Sequence, residues 1–148
     1  MRVHGDISAM SEPIRALSVR QPWAELIISG RKTIELRTWT SDYRGQLWLH
    51  VGRREDFRLE SEFGLKGLFR GGFIGAVELI AIVPMDAQRW ESWRERHCET
   101  GAYRPGLFGL ILKDPRRFNT PIQAPGALRL FIPSPEFQDQ LRQAISIE

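Results

Sequence analysis

The chain has 148 residues, 26% of them charged, and a formal net charge of +3, which suits one domain around one modest core. No apolar stretch reaches the roughly 18 residues a membrane helix needs. The one cysteine, Cys98, excludes an intrachain disulfide and fits a reducing, cytoplasmic setting. The small excess of bases permits an anionic partner without demanding one, and five tryptophans are compatible with stacking on bases as well as with a core.

Residues 1–12 have no signal-peptide apolar run and read as a flexible tail before a single domain over 13–148. Ala16–Arg20 alternates apolar and polar, the pattern of a half-buried strand. Gln21-Pro22 breaks it, and proline suits the first position of a helix over Pro22–Ser29. Trp23, Leu26 and Ile27 face a core, and Gly30 ends the helix. Thr33–Trp39 is the next strand, with Ile34 and Leu36 on one face and Thr33, Glu35, Arg37 and Trp39 on the other. Glu35 and Arg37 lie two apart, so they can pair with each other or jointly hold a ligand. Tyr43-Arg44-Gly45 turns the chain into a strand over Gln46–Val51, where Trp48 and His50 share a face opposite Leu47, Leu49 and Val51.

Gly52–Gly72 is a charged, glycine-rich excursion with a short helix near Asp56–Phe63. Its bases and acids nearly cancel, so it reads as a solvated loop over a barrel mouth rather than a phosphate-gripping lid. Phe73–Val83 is the most apolar run and predicts a central strand. Glu78 interrupts it, and a carboxylate there needs a partner: either a basic neighbour such as Arg37, or a place facing the same cleft as Lys32 and Glu35, of which the second is preferred. Asp86 caps a helix through about His97, with Trp90, Trp93 and His97 on one packing face. A loop over Gly101–Gly106 carries Tyr103. Leu107–Leu112 is a strand, Asp114–Arg117 a turn, and Phe118–Ile122 an edge strand, since Pro121 is tolerated only there. Leu128–Ile132 is the last strand. Ser134 starts a C-terminal helix over 134–146, whose Phe137, Leu141 and Ile145 form a docking stripe. Short strands with helices at their edges make an α+β chain, a small mixed β-barrel with short flanking helices.

Ser18-Val19-Arg20-Gln21-Pro22-Trp23-Ala24, then Gly30, Lys32, Glu35, Arg37 and Trp39, then Arg44-Gly45 and His50 together resemble the opening of the ASCH (activating signal cointegrator homology) domain, a branch of the PUA-like superfamily. The resemblance implies a PUA-like pseudobarrel and RNA as a partner. Small bacterial relatives are amidohydrolases that deacetylate N(4)-acetylcytidine, and others are ribonucleases. Lys32 falls on the lysine of the former, whereas those relatives have a threonine where this chain has Glu35.

The chemistry on offer follows. His4, His50 and His97 lack paired-ligand spacing and Cys98 has no partner cysteine, so no metal is expected. No phosphate-cradling loop or dinucleotide fingerprint is present, and no cofactor is expected. The expected ligand is RNA or a modified nucleoside, held in a polar cleft by Arg20, Gln21, Trp23, Lys32, Glu35, Arg37, Trp39, Arg44, His50 and Tyr103. If the chain is an enzyme, it is a hydrolase in which Lys32, Glu35 and Glu78 move protons or attack. A third reading is a protein-interaction module using the Trp90 helix and the C-terminal helix.

Overall fold

The computed structural model describes residues 13–147; the expected tail at 1–12 lies outside the described residues. Six strands form one sheet in the order β2-β5-β4-β3-β1-β6. They are β1 (Arg15–Val19), β2 (Ile34–Arg37), β3 (Gly45–Val51), β4 (Gly72–Pro84), β5 (Phe108–Gln123) and β6 (Leu130–Phe131). β1 and β3 are parallel; the other pairs are antiparallel. The sheet curls into a half-barrel. The helices are α1 (Trp23–Ile28), α2 (Phe57–Glu62), α3 (Ala87–Ser92), α4 (Arg94–His97) and α5 (Pro135–Ile147), and none is long and apolar enough to cross a membrane.

Alternation along β3 decides which side of the sheet each residue serves. Leu47, Leu49 and Val51 join Leu17, Val19, Leu79, Leu110 and Leu112 on the face that α1 covers with Ala24, Ile27 and Ile28. Trp48 turns to the other face and meets Ala16, Phe73, Phe118 and Leu141 of α5. Its indole N–H donates to Gln138 Oε1 at 3.1 Å, and Gln138 donates to the Ile14 carbonyl at 2.9 Å, so the polar tips under α5 are satisfied. The stripe expected on the C-terminal helix docks as its spacing implied. A third cluster, Ile34, Leu36, Met85, Trp90 and Leu107, seals the β2 edge beneath α3.

Three local expectations are corrected. Asp114–Arg117 is not a reversal: β5 runs unbroken through it, and Asp114 absorbs the bend at φ 53. β2 pairs only with Phe108–Ile111, so the rest of β5 has one bonded neighbour and tolerates Pro115 and Pro121 on its open edge. The helix expected through His97 breaks at Trp93, whose φ of −106 and ψ of 17 leave the helical region. The final strand contracts to two residues, because Arg129 at φ 55 turns the chain away beforehand. Where β4 bulges, Gly75 permits a close approach: a Cβ there would lie 2.2 Å from the Arg116 carbonyl oxygen.

Candidate functional site

The tight exit from α1 carries the chain straight into β2. It brings the residues of the G-x-K-x-x-E-x-R run onto one spot. Lys32 is 1% exposed. Its ammonium donates to the His97 carbonyl at 2.5 Å, lies 3.5 Å from Glu35 Oε1, and sits over the Trp23 ring at 4.9 Å. Glu35 turns its other oxygen to Arg37 Nε at 2.8 Å. Arg37 in turn donates to the Ser18 carbonyl at 2.8 Å and lies 5.9 Å from the centre of the Trp39 ring. One carboxylate therefore serves two cations, and each cation is also near an indole. The carboxylate and the ammonium are buried, whereas Trp23, Arg37 and Trp39 are half-buried. A buried charge is tolerated only when paired and hydrogen-bonded, and this set meets that demand internally.

The other expected residues divide. Gln21 is buried and bridges two segments: its amide donates to the Phe69 carbonyl at 2.9 Å, and its oxygen accepts from the Glu25 N–H at 2.9 Å. Phe63 meets Trp23 edge-on at 5.5 Å, so the 52–72 excursion packs against the same corner. Its carboxylate Glu60, 1% exposed, pairs with Arg70. Arg20 and Arg44 are exposed, and Arg44 bonds the carbonyls of Ser41 and Tyr43. Tyr103 packs against Trp90 at 6.1 Å. Glu78 stands apart: it is half-buried, faces Gln46 across β3, and lines a different concavity with Gln46, Asp114 and Arg116.

The periodicity reading missed the His97 carbonyl, which lies 65 positions from Lys32 and is the ammonium's hydrogen-bond acceptor. It also missed the contact of His50 Nδ1 with Ser18 Oγ at 3.0 Å. His50 is itself packed edge-on against Phe73 and Phe131. Neither contact leaves a local signal: the first needs the end of α4 docked beside the entry to β2, the second the pairing of β1 with β3.

Both buried histidines have fixed tautomers. His97 Nε2 donates to the Trp90 carbonyl at 2.8 Å, and its Nδ1 accepts from the Glu99 N–H at 3.1 Å. His50 Nε2 donates to the Ala124 carbonyl at 2.8 Å. A carbonyl oxygen only accepts, so Nε2 carries the proton in each. Burial pushes both rings below their usual 6.5, against the raising effect of those carbonyl bonds. Arg53 adds to the lowering at His50. Around His97, Lys32 and Arg94 lower it and Glu99 raises it. Below the usual value, unfolded chains then bind more protons than folded ones, so stability is lost as pH falls. Urea midpoints measured at about pH 7.5, 6.5 and 5.5 are expected to decrease in that order; a midpoint unchanged or rising towards acid would contradict the buried neutral rings.

The ASCH domain family model matches residues 17–121. The chain is 28% identical over 116 residues to activating signal cointegrator 1 of Mus musculus, across 68% of this chain and 19% of that protein. It is 52% identical over 33 residues to the Homo sapiens protein, across 22% of this chain and 6% of that one. The chain thus spans about a fifth or less of the length of these curated relatives. Among solved structures, an ASCH protein from Zymomonas mobilis superposes with a TM-score of 0.65 at 17% identity, covering 90% of this chain and 95% of that one. A single-substitution variant of it gives 0.65 at 17% identity, covering 89% and 98%. At such identity the likeness is one of fold, and it agrees with a PUA-like pseudobarrel.

Proposed function

Because the chain belongs to the ASCH domain family, we propose that it binds single-stranded RNA, or a modified nucleoside, against the face bearing Trp23, Trp39 and the Lys32–Glu35–Arg37 set. One observation carries this reading: two half-buried indoles flank a carboxylate held by two cations. Indole faces stack on bases irrespective of sequence. Between them the half-buried Arg37 guanidinium, positioned by the buried Glu35 carboxylate, offers donors to base edges. Exposed Arg20 and Arg44 supply phosphate contacts beyond the stacking faces.

Titration of a labelled single-stranded RNA at about 50 mM and about 200 mM salt tests the reading, because each phosphate contact released by salt weakens binding. Binding that weakens as salt rises is expected, with quenching of tryptophan fluorescence. No binding at the lower salt would defeat the proposal.

A second reading, removal of the acyl group from a nucleoside such as N(4)-acetylcytidine, is favoured by the 3.5 Å contact of Lys32 with Glu35 in a nearly water-free spot. The carbonyl, carboxylate and indole around Lys32 are all partners for an ammonium that donates, and Glu78 lines another concavity. Binding is therefore preferred to proton abstraction. Released acetate on incubation with acetylcytidine would reverse that order.

A further inference from the structure

The parallel pairing of β1 with β3 puts Ser18 directly opposite His50. The imidazole is 3% exposed. Its Nε2 proton is taken by the Ala124 carbonyl, which leaves a lone pair on Nδ1 of the neutral ring. The hydrogen in the 3.0 Å contact with Ser18 is then the serine's own. With its only proton committed to His50, the Ser18 hydroxyl can act on anything else only as an acceptor.

That hydroxyl borders an open pocket of about 420 Å³, lined also by His50, Arg53, Gly71, Gly126 and Leu128. Two backbone approaches shape it. A Cβ on Gly126 would lie 2.5 Å from His50 Cε1, and one on Gly71 would lie 3.1 Å from Arg53 Cζ. Arg53 is exposed, and among the described residues no carboxylate pairs with it. Among the described residues the pocket thus offers an obligate acceptor and a guanidinium with no carboxylate partner. A complementary ligand carries a hydroxyl that donates and an anion close by.

We propose that this pocket is a ribose-phosphate subsite, in which Ser18 Oγ accepts from a ribose 2′-hydroxyl and Arg53 holds the adjacent phosphate. The proposal rests on the RNA reading above and adds the discrimination of RNA from DNA. A 2′-hydroxyl is what distinguishes the two polymers, guanidinium is a bidentate match for phosphate, and the volume suits a nucleotide-sized group. Ser18 and His50 lie on the sheet face opposite Trp23 and Trp39, and Arg37, which donates to the carbonyl of Ser18 itself, links the two sides through the backbone.

The test compares single-stranded RNA, DNA and 2′-O-methyl RNA of one sequence on the full chain at fixed salt. Wild type should prefer RNA over the other two by roughly 3–10-fold, the range of one hydrogen bond. The methylated strand keeps the oxygen but lacks the proton, so it should bind as DNA does. Ser18→Ala should bring RNA down to the DNA level and leave DNA unchanged. Arg53→Gln should weaken all three alike and reduce the salt slope by about one. Equal wild-type affinity for the three strands, or a preference that survives Ser18→Ala, overturns the subsite while leaving the binding reading intact. Failure of wild type to bind any strand removes both.

Discussion

Replacing Glu35 by alanine is expected to cost roughly 3–5 kcal/mol of stability, the range for removing one partner of a buried ion pair, and to abolish RNA binding. The cost comes from what stays behind. Lys32 keeps a single carbonyl acceptor and an indole face, with the compensating carboxylate gone and water still excluded. Arg37 is half-buried and can turn towards solvent, so it adds little to the loss. Glu35→Gln keeps shape and an acceptor without the charge, and should fall between the two. Urea unfolding gives the first quantity. RNA titration well below the unfolding midpoint gives the second. A Glu35→Ala protein within about 1 kcal/mol of wild type would mean that water reaches Lys32.

Trp90→Ala is the second large effect, also roughly 3–5 kcal/mol, as expected for truncating a fully buried aromatic side chain. Trp90 fills the cluster behind β2 and stacks on the His97 ring at 4.5 Å. Its indole N–H donates to the Gly101 carbonyl at 3.0 Å, and its own carbonyl holds His97 Nε2. The carbonyl of that same histidine is the acceptor for Lys32. A cavity at Trp90 therefore loosens α4 and the anchor of the ammonium, so RNA affinity should drop although Trp90 faces away from the stacking surface. Trp93→Ala, at a half-exposed ring packed between Arg89 and Arg96, serves as the comparison and should cost far less. The idea fails if Trp90→Ala unfolds at the wild-type denaturant midpoint.

Much of the site was legible because it is local. The spacing of Glu35 and Arg37 put both on one strand face, and the structure pairs them at 2.8 Å. The glycine exit ended the helix before Lys32, and β2 begins two residues after it. Glu78 shows the limit. A carboxylate in an apolar strand demands a partner, yet the demand does not say which one; the register set it opposite Gln46 and Lys113.

The order of apolar and polar residues by itself determined the number and kind of most elements, the two faces of β2 and β3, and the docking stripe of α5, because each depends on a repeat of two or about 3.6 residues that neighbours enforce. What folding alone decided are the meetings across the chain: His97 on Lys32, Ser18 on His50, and the continuity of β5 past two prolines. Those depend on which strand edges pair and where bulges shift the register. Such choices are made by the combined packing of three separate apolar clusters, and no short window of residues contains them.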